Sequence, residues 1–328
     1  MHDFTIHYRH LIMKTTAIKS NNTIAYKPVG QFEETRYEKI HNVIFTDSNQ
    51  ASIKVAEEIA ELIKKKQAQN KSCVLGLATG SSPIRVYEEL VRQHKEEGLS
   101  FKNVVTFNLD EYLPMEKSNI HSYHYFMHEH LFNHVDIPAE NIHIPNGMVA
   151  PEETVAYCLA YDKKIKEYGG LDFQLLGIGR TGHVGFNEPG SHYNSGTRVI
   201  TLDHITRVDA APSFLGIDNV PIKAITMGIA TVRKSKRIVL LGWGQNKADI
   251  LKQTIEGDVT SHVPATYLQN HDNCTFVLDT GAGSELTRNK TPWLVGACKW
   301  TEELKAKAII WLCENTGKTI LSLTDKDY

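Results

Sequence analysis

The stretch Cys73-Val-Leu-Gly-Leu-Ala-Thr-Gly-Ser-Ser-Pro83 decides the fold class. Its first five residues are an apolar run suited to a strand covered on both faces. A Gly-Ser-Ser turn follows, and Pro83 opens a helical run to about residue 96, a favoured place for proline. Outward in both directions the pattern recurs. Asn42-Val-Ile-Phe-Thr46 reads as a strand, and Ser48 caps a helix to about residue 66 in which Val55, Ile59, Leu62 and Ile63 keep helical spacing. Further strands are expected at 104–107, 173–177, 224–227, 237–241 and 275–278, and helices over 121–134, 152–168 and 246–256. Apolar strands alternating with amphipathic helices predict an α/β fold, a mostly parallel, doubly wound Rossmann-like sheet with helices on both faces. In such sheets ligands bind outside the carboxyl ends of the strands, so the residues just after each strand carry the functional information.

Three segments are expected: an extension over 1–40, a main body over 41–285, and a tail over 286–328 with one helix at 301–314. Nothing else in the chain suggests a repeat or a linker. Lys and Arg number 36 against 38 Asp and Glu, a near-balance that makes nucleic acid an unexpected partner. No apolar run is long enough to span a membrane, and residues 1–10 lack the apolar segment of a secretory signal. The five cysteines are scattered without a Cys-x-x-Cys pair, which argues for a reducing compartment and a cytoplasmic protein.

Four loops could carry chemistry. Gly76-Leu-Ala-Thr-Gly-Ser-Ser-Pro83 leads into a helix, where Gly80, Ser81 and Ser82 could hold a phosphate at the helix N-terminus. The plain alternative is a capped βα turn. Phe107-Asn-Leu-Asp-Glu-Tyr112 places two carboxylates at the end of a strand. Neighbours on extended backbone point opposite ways, so one of Asp110 and Glu111 should enter the site, as a tuned general base, unless both are surface acids.

Gly177-Ile-Gly-Arg-Thr-Gly-His-Val-Gly-Phe-Asn-Glu-Pro-Gly190 imitates a dinucleotide fingerprint, with Asp203 about twenty residues on. Gly185, Pro189 and Gly190 deny it the helix that fingerprint needs. What remains is a flexible loop presenting His183 and Glu188, a proton carrier and a carboxylate able to orient it. In Leu241-Gly-Trp-Gly-Gln-Asn-Lys247, Lys247 opposes the dipole of the helix it precedes, and an anionic ligand would reverse that sign. The cluster His121, His124, His128, His130 and His134 has no zinc-protease order and no evident third ligand, so no metal is expected.

Together these loops resemble the glucosamine-6-phosphate deaminases in order and spacing, and His134-Val-Asp-Ile-Pro-Ala-Glu-Asn141 is similar to that family too. The resemblance implies an aldose–ketose isomerase/deaminase domain over 41–285, turning glucosamine 6-phosphate and water into fructose 6-phosphate and ammonia. It implies Asp110 as the base at C2, His183 as the proton shuttle that opens the ring, Glu188 as its support, and Gly80, Ser81, Ser82 and Lys247 as phosphate ligands. No cofactor is implied, the partner is a small sugar phosphate, and monomers and homo-oligomers both occur among such enzymes. The alternatives are a deaminase or isomerase of another phosphorylated aminosugar and a non-catalytic sugar-phosphate sensor.

The chain departs from the family's pattern at three places. Thr181 stands where an aspartate commonly precedes the loop histidine. Asp209-Ala-Ala-Pro-Ser213 lacks a phosphate-binding arginine, for which Arg207 is the substitute at hand. Arg198 fits an effector site, but Ile200 replaces its lysine.

Overall fold

The computed structural model describes residues 37–327. The expected extension over 1–40 therefore lies almost wholly outside the described residues. In chain order the elements are β1 (Asn42–Phe45), α1 (Ser48–Ala68), β2 (Cys73–Leu77), α2 (Ile84–Glu97), β3 (Val104–Asn108), β4 (Asp110–Leu113), α3 (Tyr123–His130), β5 (Ile142–His143), α4 (Thr154–Glu167), β6 (Phe173–Gly177), β7 (Arg198–Thr201), α5 (His204–Ala210), β8 (Lys223–Thr226), α6 (Ile229–Val232), β9 (Ile238–Gly242), α7 (Ala248–Glu256), β10 (Cys274–Asp279), α8 (Thr287–Lys290) and α9 (Glu302–Thr316).

Seven strands form one sheet in the order β1-β10-β9-β6-β2-β3-β5, and every pairing in it is parallel. Its strands are apolar throughout because both faces are covered. Leu75, Val104, Leu175 and Val239 join one core with Val55 and Ile59 of α1 and Leu90 of α2. The alternate residues Val74, Val105, Leu176 and Leu240 join the opposite core with Ile165 of α4 and Leu251 of α7. Leaving β2, the chain builds outward through β3 and β5. It returns to the other side of β2 with β6 and builds outward again through β9 and β10. The strand order thus reverses between β2 and β6, and a crevice opens there beyond their carboxyl ends.

The expectation of one sheet needs correction at residues 224–227. Strand β8 belongs to a separate three-stranded antiparallel sheet, β4-β8-β7, in which Asp110 lies opposite Thr226. The reason is local: only Leu109 separates β3 from β4, too little chain for the crossover a parallel neighbour requires. Several ends also shift. Asp47, not Ser48, caps α1, accepting the Asn49 N–H at 3.0 Å. The helix expected over 121–134 is α3 followed by a 3₁₀ turn at Phe132–His134, and the one expected from 246 begins at Ala248 after a turn at Gln245–Lys247. In the tail, α9 is present, with Thr301 capping it. No helix among the described residues is long and apolar enough to cross a membrane.

Candidate active site

Three loops converge on the crevice between β2 and β6. The first runs from Ala78 to Pro83, with Gly80 at φ +91°, which favours glycine. It enters α2 without a side-chain cap and without an acid in the first turn, so the helix offers its N–H groups and positive dipole end outward. Ser82 is gripped from both sides. The Trp243 indole N–H donates to its carbonyl at 3.1 Å, and a methyl placed on Gly177 would lie 3.9 Å from its Oγ.

The second loop follows β9. Asp279, at the end of β10, accepts the Gly244 N–H at 3.0 Å and the Ala282 N–H at 2.7 Å, pinning the turn that carries Lys247. Lys247 sits at the N-cap of α7; its backbone N–H donates to the Gly244 carbonyl at 3.1 Å, and its ammonium makes no hydrogen bond among the described residues. Burial holds its ammonium below its ordinary pKa, against the pull of Asp209 and with the push of Arg180. These neighbours place both side chains near it.

The third loop, Ile178–Gly190, contains no helix, in line with the rejection of a dinucleotide fold there. Asp203, the acid that fingerprint would have used on a ribose, instead caps α5 by accepting the Ile205 N–H at 2.7 Å. His183 Nδ1 is ringed by three oxygens: Thr181 Oγ1 at 2.8 Å, Glu188 Oε2 at 3.1 Å and Thr206 Oγ1 at 3.4 Å. Glu188 is 9% exposed. Burial alone would raise its carboxyl, but the hydrogen bond and charge of His183, with Thr206 and the Asp203 N–H, hold it below its ordinary value. It is an anion aimed at an imidazole.

Asp110 approaches from β4, 5% exposed. Gly185, two residues past His183, brings loop and carboxylate together. A β-carbon there would lie 3.1 Å from Asp110 Oδ2, and its φ of +57° is also one that favours glycine. Burial, and then the adjacent Glu111 carboxylate, push the Asp110 carboxyl well above its ordinary range, with the Phe186 N–H opposing. Glu111 points the other way, as alternation on a strand requires. It accepts the N–H groups of Tyr112, Tyr123 and His124 at 2.9–3.0 Å, closing the start of α3, while burial pushes its carboxyl up to about 7. One acid faces the loops and the other holds a helix.

Four residues were not foreseen in these positions. Asn108 is buried with an amide that makes no hydrogen bond among the described residues. Thr206 completes the ring around His183. Arg180 reaches α5 and binds Asp209 with two N–H groups, a pairing across 29 residues that no local pattern announces. Arg207, the substitute for a phosphate arginine, instead donates to the carbonyls of Ile217 and Val220. Arg198 donates to Asn187 Oδ1 and Ser191 Oγ, each at 2.9 Å. The rings of His124 and His128 lie tilted with centroids 4.5 Å apart, and no group of three or more His, Cys, Asp and Glu able to hold a metal occurs among the described residues.

Residues 46–277 match the family described as glucosamine-6-phosphate isomerases/6-phosphogluconolactonase. The chain belongs to this family. A glucosamine-6-phosphate deaminase-like protein of Bacteroides thetaiotaomicron is 46% identical over 306 residues, which are 92% of this chain and 46% of that protein. The chain thus spans less than half the length of that relative. A glucosamine-6-phosphate deaminase of Clostridium botulinum is 46% identical over 233 residues, covering 71% of this chain and 93% of the relative. Among solved structures, a monomeric glucosamine-6-phosphate deaminase superposes with a TM-score of 0.72 at 41% identity, over 75% of this chain and all of that one.

Proposed function

We propose that this chain is a glucosamine-6-phosphate deaminase, releasing fructose 6-phosphate and ammonia. The observation that carries the reading is the contact of His183 Nδ1 with the buried Glu188 carboxylate at 3.1 Å, on a loop that Gly185 presses against Asp110. The curated relatives that bear this name support it.

The side chains in this scheme supply only proton transfers. The phosphate rests on the N–H groups of Gly80, Ser81, Ser82 and α2, with Lys247 supplying charge. With Glu188 accepting the Nδ1 proton of His183, Nε2 is left basic. It takes the proton of the anomeric hydroxyl and returns it to the ring oxygen as the C1–O bond breaks, giving the open aldehyde. The Asp110 carboxylate then removes the C2 proton, giving an enolamine, and delivers it to C1. Water adds at C2 of the resulting iminium and ammonia departs. A carboxyl raised by burial suits this step, since a general base works best with a pKa near the working pH. The substrate's C2 ammonium also favours the carboxylate form once bound.

Every side chain in the scheme comes from one chain, so it requires no second subunit. We place the enzyme in the cytoplasm, where its five unpaired cysteines would stay reduced. The test follows ammonia and fructose 6-phosphate together from glucosamine 6-phosphate, with Asp110→Asn as control. Equal release of both, lost in the variant, supports the reading. Binding without release would make it a sugar-phosphate sensor, and release from a different aminosugar phosphate alone would change the substrate.

A further inference from the structure

The third loop carries a cation that the scheme above leaves unused. Arg180 follows Gly179 by one residue and Gly177 by three, and a β-carbon built on Gly177 would lie 3.9 Å from Ser82 Oγ. Arg180 thus follows, by three residues, the point where its loop passes Ser82 on the same sheet edge, and its guanidinium is held by Asp209 of α5. Its side chain is 47% exposed, yet it is held, because Nε donates to Asp209 Oδ2 at 2.9 Å and Nη2 donates to Asp209 Oδ1. A two-point pair fixes the plane of the fork and leaves one edge of it open to a further acceptor. Lys247 lies close enough to both for each charge to act on its ammonium. Together Arg180, Lys247 and Asp209 sum to one positive charge, with Lys247 at the N-cap of α7. Residues 209–213 contain no arginine, and Nη2 of Arg207 donates to backbone carbonyls.

The geometry points to Arg180 as the phosphate-binding arginine of this chain: its fork is pre-set by Asp209, and with Lys247 it closes on a sugar phosphate seated at the start of α2. This rests on the deaminase reading only in taking the ligand to be a phosphomonoester. A purely structural role is the competing account, in which Arg180 does no more than pin α5 to the loop. The two differ in what Asp209 is worth. If the pair is a pin, removing either partner has the same effect. If Arg180 meets the phosphate, removing Asp209 relaxes the fork but leaves the charge in place.

The test uses the full chain and calorimetric titration with fructose 6-phosphate, with fructose as the phosphate-free control. The variants are Arg180→Ala, Arg180→Lys, Asp209→Asn and, as a remote control for net charge, Lys64→Ala. Arg180→Ala should bind fructose 6-phosphate about tenfold or more weakly, the usual worth of a lost charge-assisted contact. Arg180→Lys should fall between it and wild type, and Asp209→Asn should stay within about threefold of wild type. In turnover, Arg180→Ala should raise KM for glucosamine 6-phosphate with little change in kcat.

Equal weakening by Arg180→Ala and Asp209→Asn would overturn the assignment in favour of the pin, and wild-type affinity in Arg180→Ala would overturn it outright. A wild-type chain that binds no hexose phosphate would sink the deaminase reading. In that case heat protection by inorganic phosphate decides this one separately. Protection of wild type but not of Arg180→Ala sustains it, and protection of both, or of neither, ends it.

Discussion

Replacing Glu188 by glutamine tests the centre of the mechanism, because three oxygens compete for one nitrogen of His183. Thr181 Oγ1 is the nearest at 2.8 Å, Glu188 Oε2 lies at 3.1 Å and Thr206 Oγ1 at 3.4 Å. Distance alone would favour the threonine, whereas charge favours the glutamate. When His183 takes the anomeric proton it becomes a cation, and only Glu188 answers it with a full negative charge in a buried setting. Glutamine keeps the volume and, with its one oxygen on the Asp203 N–H at 3.3 Å, turns an amide N–H towards His183, so the variant removes the charge and its acceptor together. A hydrogen bond to a charged group is worth about 1.5–3 kcal/mol, against about 0.5–1.5 kcal/mol for a neutral one. Taking about 2–3 kcal/mol for the carboxylate predicts a loss of roughly 30- to 150-fold in kcat/KM for Glu188→Gln. Thr181→Val, which removes a neutral partner, should lose only about 2- to 10-fold.

The assay is fructose 6-phosphate formation followed against pH in wild type and both variants, with thermal melts to show that each is folded. If Thr181→Val costs more than Glu188→Gln, the reasoning fails. The threonine hydroxyl would then donate to an unprotonated Nδ1, the proton of His183 would sit on Nε2, and the residue would meet the sugar as an acid first. Such a result would reverse the order of proton transfers in the scheme.

Other predictions concern the two neighbouring acids and the glycine between loop and base. Asp110→Asn should lower kcat by about 10²- to 10⁴-fold while fructose 6-phosphate still binds; retention of activity would remove Asp110 from the mechanism. The same variant should melt above wild type at pH 8, because a carboxyl whose folded pKa is raised costs stability wherever it is ionised. Glu111 obeys the same sign. Held at about 7 instead of 4.5, it costs roughly 3 kcal/mol at pH 8, and this cost is relieved as pH falls through 7 towards 4.5. Wild type should therefore melt higher at pH 5.5 than at pH 8, and Glu111→Gln should make that dependence shallower, at the expense of the bond to the His124 N–H. A flat wild-type profile would contradict it. Gly185→Ala should fold yet lose most of its kcat, since its β-carbon must press Asp110 Oδ2 and Thr226 Oγ1 from 3.1 Å at a φ of +57°; wild-type kcat would show that Asp110 tolerates displacement.

How far the sequence could be read follows from which interactions are local. Strands β2, β3, β6, β9 and β10 are legible because burial on both faces forces apolar runs, and glycine marks the ends of β6 and β9 where the loops turn back. Strands β4 and β7 carry no such mark. They are four residues long, and β4 begins with two buried acids, so their polarity masks the strand signal. Strand β8 is visible as an apolar run, but nothing in Lys223-Ala-Ile-Thr226 says which sheet it joins; that is set by the single residue between β3 and β4. At the site the same division holds. His183 and Glu188 share one glycine-rich loop and Asp110 closely follows the apolar run of β3, so local patterns draw attention to them. Thr206 and the Arg180–Asp209 pair become neighbours only when α5 folds over the loop.

The departures from the family's pattern gain sense when their charges are taken together. An aspartate at position 181 would stand next to Arg180 and at the same Nδ1 atom that Glu188 already serves. Two carboxylates there would repel each other across a single proton, and the nearer one would compete with a phosphate for the guanidinium. Threonine removes that negative charge while keeping an oxygen on the imidazole. The sequence after Val208 removes a positive charge by lacking the arginine. One loss offsets the other in the field at the phosphate, and Arg180 is left with Asp209 as its one ion-pair partner among the described residues. On this account Thr181→Asp should hurt substrate binding through Arg180 as well as altering His183. Its effect on KM should therefore shrink in an Arg180→Ala background, whereas a change confined to His183 would leave the two substitutions additive.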